Sequence, residues 1–246
     1  MALQPWRTGI ITRIEQETPN TRRFWIQIPE LDRFDFLPGQ FISLDLPIHE
    51  KPHKRVRSYS IASAPDGTNT VELVIVKLDG GAGSTYLFEA GKIGLEMPVR
   101  GPLGVFTLPQ NMEQDLYFIC TGTGIAPFRS MLHYINEHNV PHRNINLIFG
   151  TRTKEDLLYF EEMQSLAQKI PQFQYFPTLS REQWDGCCGY VHTIYERLVL
   201  EQKEATGELP PASFFLCGWK NMVDEAKQKI LALGYDKKSV HLELYG

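Results

Sequence analysis

One short run of the chain combines residue types that bind phosphates and flat aromatic rings. Arg57-Ser-Tyr-Ser60 contains a guanidinium, a phenol ring and two hydroxyls. If this run is a strand, Arg57 and Tyr59 face one side and the two serines face the other, because side chains alternate along a strand. Such a strand can offer a cation to a phosphate, an aromatic face to a planar ring and a hydroxyl donor. An ordinary polar strand explains these four residues equally well.

Two glycine-rich segments have the composition of phosphate-binding turns. Thr121-Gly-Thr-Gly-Ile-Ala-Pro127 follows an apolar run and precedes a helix-like stretch. Its glycines let the backbone turn tightly, and the free N–H groups of a helix start point toward an anion. Gly80-Gly-Ala-Gly-Ser-Thr85 has the same plan, with glycines ahead of two hydroxyl side chains. Alone, each segment is also compatible with an ordinary tight turn or capped helix start.

The cysteines and histidines do not have metal-binding spacings. The four cysteines are Cys120, Cys187, Cys188 and Cys217. They contain no Cys-x-x-Cys pair, and the seven histidines are scattered. We therefore expect no zinc site, no iron–sulfur cluster and no other metal, and we expect reduced thiols in a cytoplasmic protein.

Composition excludes several classes of protein. The chain has 246 residues, 42% hydrophobic and 22% charged, with a net charge of −4. The apolar fraction is too high for a disordered chain, and the slightly acidic balance argues against a general nucleic-acid binder. No segment has the roughly 18 apolar residues of a membrane span, and the amino terminus lacks an apolar signal core. The length allows one large domain or two modest ones.

The pattern of elements changes near residue 110. Before it, short β-rich runs are separated by Pro and Gly, with no helix-like segment until Ser84–Ala90. Strands at this spacing predict an antiparallel barrel or sandwich over residues 1–108. The β-rich runs are 21–28, 40–46, 58–62 and 71–78.

After residue 110, apolar runs alternate with amphipathic stretches. This alternation predicts a doubly wound parallel sheet over residues 115–246, because parallel strands need crossover connections. Its ligand is expected beyond the carboxyl ends of the strands. The predicted helices are 128–137, 155–169, 191–201 and 220–233, and residues 201–211 are expected to form a loop.

Taken in chain order, the motifs resemble the ferredoxin–NADP reductase superfamily over nearly the whole chain. The segments that carry the resemblance are RSYSIAS (57–63), GGAGST (80–85), GPLGVF (101–106), TGTGIAP (121–127), GTRTKEDLLY (150–159) and LCG (216–218). Each segment is weak alone, whereas the ordered set is specific. The resemblance implies a first domain that binds FAD or FMN, with FAD favoured, and a second domain that binds NAD(P)H.

The resemblance also assigns flavin-binding roles in the first domain. Arg57 would neutralise the flavin phosphate, as a planar bidentate donor can. Tyr59 would stack on the isoalloxazine ring, and Ser60 would donate a hydrogen bond near its N5 atom. The residues that would surround the FAD phosphates at a helix start are Gly83, Ser84 and Thr85.

In the second domain, the resemblance implies a site for a nicotinamide nucleotide. Ser180-Arg181 resembles the pair that selects NADP, with Arg152 assisting, because a hydroxyl and a guanidinium suit the 2′-phosphate. An NAD site would usually carry a carboxylate there, and Glu182 lies next to the pair. The residues expected to face the pyrophosphate are Gly122, Thr123 and Gly124.

The resemblance places the remaining reaction-site residues in the second half of the chain. Cys217 would lie against the nicotinamide as a packing and orienting residue. The ending HLELYG (241–246) is similar to the His-Val-Glu-Val-Tyr ending of plant-type reductases. Glu243 would then assist hydride and proton transfer, and Tyr245 would cover the flavin ring. The extra Gly246 departs from that pattern, and a final edge strand with an exposed tyrosine is the alternative.

Together these features predict a flavoenzyme that transfers a hydride between NADPH and FAD and exchanges single electrons with a ferredoxin or flavodoxin. One alternative is the reductase component of an oxygenase, or a flavin reductase. Another is a flavin-binding redox sensor without turnover. The basic segment His49–Arg57 could steer an acidic carrier protein, or it could be a solvated loop.

Overall fold

The computed structural model describes residues 4–245, and of Tyr245 it describes the backbone alone. The chain forms two compact units. The first extends to Leu108 and also includes Ala126–Tyr134, whereas the second contains Pro109–Ile125 and the chain from Ile135 onward. The sequence predicts boundaries at 1–108 and 115–246, with no return of the chain to the first unit. Side chains on Ala126–Tyr134 bond to that unit, as described below.

The first unit is a six-stranded antiparallel sheet in the order β4-β3-β6-β1-β2-β5. Beyond the end of β4, the Ala62 N–H donates to the Glu72 carbonyl on β5 at 2.8 Å, which links the two edges of the sheet. The predicted antiparallel barrel is thereby confirmed. Its strands are β1 (Arg7–Thr18), β2 (Thr21–Gln27), β3 (Phe41–Asp45), β4 (Val56–Ser60), β5 (Thr70–Val76) and β6 (Glu96–Leu103).

An apolar core fills this unit. Ile42 and Leu44 on β3 are fully buried, as is Leu73 on β5. Burying each such side chain contributes about 1.5–3 kcal/mol. Helix α1 (Ala82–Glu89) packs on the core through Leu87. Because α1 begins within the segment Gly80–Thr85, this packing fixes the glycine-rich turn against the barrel.

The second unit is a six-stranded sheet in the order β10-β9-β8-β7-β11-β12, and every pairing in it is parallel. The predicted doubly wound sheet is confirmed. Strand order reverses between β7 and β11, which is where such sheets bind ligands beyond their carboxyl ends. The strands are β7 (Asp115–Thr121), β8 (Ile145–Thr151), β9 (Phe173–Leu179), β10 (Cys187–Cys188), β11 (Ala212–Trp219) and β12 (Val240–Tyr245).

Four further helices connect these strands, and two of them differ from the sequence prediction. The predicted helix 155–169 begins only at residue 160, because Lys154–Asp156 forms a separate 3-10 turn with a capping box and Tyr159 adopts a left-handed φ of 53°. The first part of the predicted loop 201–211 is helical, because the helix that begins at Val191 continues to Thr206. Left-handed Gly207 then ends that helix. The helices are α2 (Ala126–His138), α3 (Phe160–Lys169), α4 (Val191–Thr206) and α5 (Lys220–Ala232). No helix within residues 4–245 is long and apolar enough to cross a membrane.

Candidate functional site

In the first unit, the start of α1 lies directly beside the side chains of β4. A Cβ atom placed on Gly83 would lie 2.8 Å from Cγ of Arg57 and 3.2 Å from the Tyr59 hydroxyl oxygen. The structure therefore brings together a guanidinium, a phenol and a helix start whose glycine allows their close approach. This arrangement fits an anionic group attached to an aromatic ring system.

The Arg57 side chain is fixed in place yet keeps its charge available. Its Nη1 donates to the carbonyls of Lys54 at 3.1 Å and Val56 at 2.8 Å. Within residues 4–245 it has no carboxylate partner. Burial raises the pKa of Tyr59 to about 12, with the Arg57 charge acting in the opposite direction. Tyr59 is thus a neutral ring beside an unneutralised cation.

The hydroxyls near this site are partly committed to the fold. The Ser84 hydroxyl donates to the Gly81 carbonyl at 3.0 Å and accepts from the Leu78 N–H at 3.1 Å. Ser84 therefore stabilises the turn with its side chain and can face a ligand only with its backbone. The Thr85 N–H already donates to the Gly81 carbonyl at 2.9 Å. Thr85 can therefore bond to a ligand only through its half-buried hydroxyl. Ser60 is buried on the opposite side of β4 from Tyr59.

In the second unit, the turns after β7 and β11 are packed against each other. A Cβ on Gly124 would overlap the carbonyl oxygen of Cys217 and lie 2.7 Å from its carbonyl carbon. Gly218 has a left-handed φ of 139°, and a Cβ there would lie 2.5 Å from Oγ1 of Thr121. The glycines are required by this backbone contact, at the place where the strand order reverses.

Two of the predicted reaction-site residues are neighbours in the sheet. Cys217 on β11 is fully buried and pairs in register with Glu243 on β12. Two pairs further along, Trp219 is opposite Tyr245. The side chain of Tyr245 lies outside the described residues.

The predicted 2′-phosphate residues meet at the carboxyl ends of β8 and β9. The Arg181 N–H donates to the Arg152 carbonyl at 2.9 Å, so the two arginines are held on adjacent chain segments. Both side chains are exposed, and neither has an ion-pair partner in the described part of the chain. The Ser180 hydroxyl instead donates to the Thr151 carbonyl at 3.2 Å. Glu182 accepts the Lys154 backbone N–H at 2.7 Å.

Two further features were not predicted from the sequence. Trp219, directly after the Cys-Gly motif, is 52% exposed. The available signal in the sequence was a tryptophan at that position. Arg129 and Ser130 on α2 bond to the carbonyls of Ala62 and Ser63 at 2.8 and 2.7 Å. No local pattern marks these two residues, because their partners are 67 positions away.

Metal-binding groups are not part of either arrangement. In the described ranges, no cluster of three or more His, Cys, Asp or Glu side chains is placed to hold a metal ion. All four cysteines are free thiols.

Two known protein families match successive parts of the chain. Residues 8–108 match the family described as oxidoreductase FAD-binding domain. Residues 118–228 match the family described as oxidoreductase NAD-binding domain.

Individual relatives extend the comparison to the full chain. Ferredoxin--NADP reductase B of Sorangium cellulosum (strain So ce56) is 35% identical over 98% of both chains. The anthranilate 1,2-dioxygenase electron transfer component of Acinetobacter baylyi is 31% identical over 89% of this chain but only 61% of its own. A crystal structure of a Neisseria gonorrhoeae ferredoxin NADP+ reductase with bound FAD and NADP is 27% identical, with a TM-score of 0.79 over 97% of this chain and 98% of its own.

The full-length similarity confirms the resemblance seen in the motifs, and the two matched families confirm FAD and a nicotinamide nucleotide as the cofactors. An enzyme that holds both cofactors is an oxidoreductase, and its relatives include reductases that serve electron carriers. The chain belongs to the ferredoxin–NADP reductase family.

Proposed function

We propose that this protein transfers a hydride between NADPH and FAD and exchanges single electrons with a ferredoxin or flavodoxin. The carrying observation is the arrangement of Arg57, Tyr59 and Gly83 in the first unit. A cation with no ion-pair partner among residues 4–245 lies beside a neutral ring and a glycine-containing helix start, and this set suits a flavin nucleotide. Tyr59 also packs against the barrel core, which holds its ring in place. When bound, the flavin accepts a hydride and releases electrons singly.

The residues of the first unit would bind and orient the flavin. Arg57 would neutralise its phosphate, and Tyr59 would pack on its ring. Backbone N–H groups of Gly83 and Ser84 would donate to the phosphates, since the Ser84 hydroxyl is already used. The motif resemblance assigns Ser60 a hydrogen bond near the reactive nitrogen, although its side chain is buried on the face of β4 opposite Tyr59.

The residues of the second unit would bind and orient NADPH. The turn containing Gly122, Thr123 and Gly124 would face the pyrophosphate. Arg152 and Arg181 would hold the 2′-phosphate, and Ser180 would fix the turn that carries them. Their lack of ion-pair partners in the described residues supports NADPH over NADH, because two adjacent uncompensated guanidinium groups favour a dianion.

Cys217 and Glu243 are the residues proposed for the reaction itself, with Tyr245. Cys217 would pack against the nicotinamide and orient it. Its thiol is fully buried, and buried thiols are poor nucleophiles, so a packing role is favoured over covalent chemistry. Glu243, in register with it, would hold or move a proton with its carboxylate. Tyr245 would cover the flavin ring until the nicotinamide replaces it.

The basic segment His49–Arg57 is proposed to attract an acidic carrier protein. Arg55 is neutralised by Asp45 at 2.7 Å, whereas Lys51 and Lys54 are exposed and have no ion pair within the described residues.

The cysteines bear on the compartment in which the protein acts. All four are free thiols, which agrees with action in the reducing cytoplasm.

An oxygenase reductase component is the second candidate, because several relatives carry such names. These include the glycine betaine monooxygenase reductase subunit of Pseudomonas aeruginosa (strain UCBPP-PA14), 28% identical. The chain spans only 66% of that protein and 61% of the anthranilate dioxygenase component.

A spectroscopic titration tests the proposal. The purified protein should show flavin absorption that bleaches anaerobically with NADPH at far lower concentration than with NADH. Cytochrome c reduction should then depend on added ferredoxin or flavodoxin. Equal bleaching by the two nucleotides would contradict NADPH preference. Bleaching without steady turnover to ferricyanide would favour the redox sensor.

A further inference from the structure

We propose that Trp219 is a nucleotide-binding residue whose indole N–H donates a hydrogen bond to the pyrophosphate of the nicotinamide nucleotide. The inference rests on the proposed function, which puts that pyrophosphate at the turn formed by residues 121–125. It adds an indole donor to a turn whose own donors are backbone N–H groups and two threonine hydroxyls.

The backbone of Trp219 is fixed against this turn. Its N–H donates to Oγ1 of Thr121 at 3.4 Å, across the contact between the turns after β7 and β11. The preceding residue, Gly218, has the left-handed φ of 139° that directs the chain toward α5. On its other side, Trp219 is in register with the last strand of the sheet.

The indole of Trp219 lies over the first glycine of the turn. Its Nε1 is 3.9 Å from a Cβ placed on Gly122, and that residue has a left-handed φ of 54°. The indole N–H is a donor without acceptor capacity. A phosphate held by the backbone N–H groups of this turn would therefore also meet the indole N–H.

Trp219 differs from the other tryptophans of the chain in having no internal partner for its ring. Trp6 lies under the Arg100 guanidinium at 4.2 Å, and Trp25 lies under Arg13 at 4.3 Å. The Trp184 indole donates to the Cys187 carbonyl at 2.7 Å. Among residues 4–245, Trp219 alone among the tryptophans has neither a ring contact nor an indole acceptor, and it is 52% exposed. An unused donor above an anion-binding turn points to the bound anion as its acceptor.

Trp219→Phe is the decisive variant, because phenylalanine keeps an aromatic ring and loses the N–H. The FAD-loaded, full-length protein is titrated by calorimetry with NADP+, NAD+ and adenosine 2′-monophosphate, which has no pyrophosphate. We expect Trp219→Phe to weaken NADP+ and NAD+ by the same factor, about tenfold, as for loss of a hydrogen bond to a charged group. Binding of the monophosphate should not change. Trp6→Phe, in the first unit, is the control and should bind all three compounds normally.

Fluorescence supplies an independent readout. NADP+ should quench tryptophan emission of the unaltered protein and of Trp6→Phe, and most of that quenching should disappear in Trp219→Phe.

Any of four results would overturn the inference. Unchanged NADP+ binding by Trp219→Phe would exclude an indole donor. If only Trp219→Ala weakens binding, the ring acts by stacking and the N–H has no role. Equal weakening of the monophosphate would place the effect away from the pyrophosphate. Failure of the unaltered protein to bind NADP+ would contradict the proposed function, and this inference would fall with it.

Discussion

Arg129 and Glu72 form a buried ion pair within the first unit, with Nη1 of the arginine 3.1 Å from Oε2 of the glutamate. The same nitrogen donates to the Ala62 carbonyl at 2.8 Å. The second oxygen of Glu72 accepts from Nε of Arg23 at 2.6 Å. Because Ala62 directly follows the Arg57–Ile61 segment, this pair fixes the chain at the end of the strand proposed to hold the flavin.

Removing the Glu72 charge should strongly destabilise the protein. Glu72→Gln keeps the side-chain shape but removes the charged carboxylate paired with the buried Arg129, whereas the half-buried Arg23 keeps Glu15 and Glu17 as partners. We expect the free energy of unfolding to fall by about 3–5 kcal/mol. Urea unfolding at fixed FAD concentration measures it. Asp35→Asn, which weakens an exposed pair with Arg33, is the control and should cost at most about 1 kcal/mol. Similar losses of unfolding free energy in both variants would show that the ion pairs of Glu72 with Arg129 and Arg23 contribute no more than an exposed pair.

Gly83→Ala should lower flavin affinity without unfolding the barrel. The added methyl would lie 2.8 Å from Cγ of Arg57, so that side chain must move away from the helix start. Overpacking of this kind costs about 1–3 kcal/mol, and we expect FAD to bind about tenfold more weakly. Fluorescence titration of the flavin-free protein with FAD measures the affinity. Ala82→Ser, at the exposed neighbouring position, should bind FAD normally. Undiminished affinity in Gly83→Ala would argue against this site.

Alanine at Gly124 should be far more damaging than alanine at Gly122. At Gly124 the methyl meets the backbone of Cys217, which cannot rotate away, and we expect a loss of more than about 2 kcal/mol. At Gly122 the nearest atom is 3.9 Å away, so the cost is the left-handed backbone alone, about 1–2 kcal/mol. Thermal unfolding of both variants compares them. The reverse order would show that the two turns do not pack as described.

Arg181→Ala should selectively impair the use of NADPH. The variant removes one of two exposed guanidinium groups that have no ion-pair partner in the described chain. We expect the KM for NADPH to rise about 10- to 100-fold, since a hydrogen bond to a charged group contributes about 1.5–3 kcal/mol. The KM for NADH should change little. Steady-state ferricyanide reduction gives both constants, with Arg197→Ala, on the exposed face of α4, as the control. An equal rise for both nucleotides would exclude a contact with the 2′-phosphate.

Stability should fall in mildly acidic solution because of His192. Burial lowers its pKa below the ordinary 6.5, and Lys229 acts in the same direction, while Glu225 and Glu196 oppose them. The unfolded chain therefore binds this proton at higher pH than the folded protein does. Its stabilisation is complete above about pH 6.5 and is lost as the pH falls toward the lowered value.

The measurement is the Tm of the protein and of His192→Gln between pH 7.5 and 5.5. The unaltered protein should lose more Tm over this range than the variant. His53→Gln, at an exposed position, should behave like the unaltered protein. Identical slopes in all three proteins would exclude His192 as the source.

Local sequence patterns determined the types of elements and the identity of the motifs. Continuous apolar runs such as Leu116–Cys120 mark buried parallel strands, because both faces of such strands are covered. Element ends were less predictable where one residue controls them. Left-handed Tyr159 delays the start of α3, and α4 continues beyond the predicted end until left-handed Gly207 terminates it.

The sequence by itself thus determined a barrel followed by a doubly wound sheet, and which residue types could bind a flavin and a nicotinamide nucleotide. These properties depend on neighbours within a few positions. Only the tertiary structure decided which donors are free. In the structure the Ser84 and Ser180 hydroxyls donate hydrogen bonds to nearby carbonyls, whereas the Trp219 indole has no acceptor among the described residues. It also pairs Arg129 with Glu72, 57 positions away. Hydrogen bonds and ion pairs form by distance in space, which residue spacing along a chain does not specify.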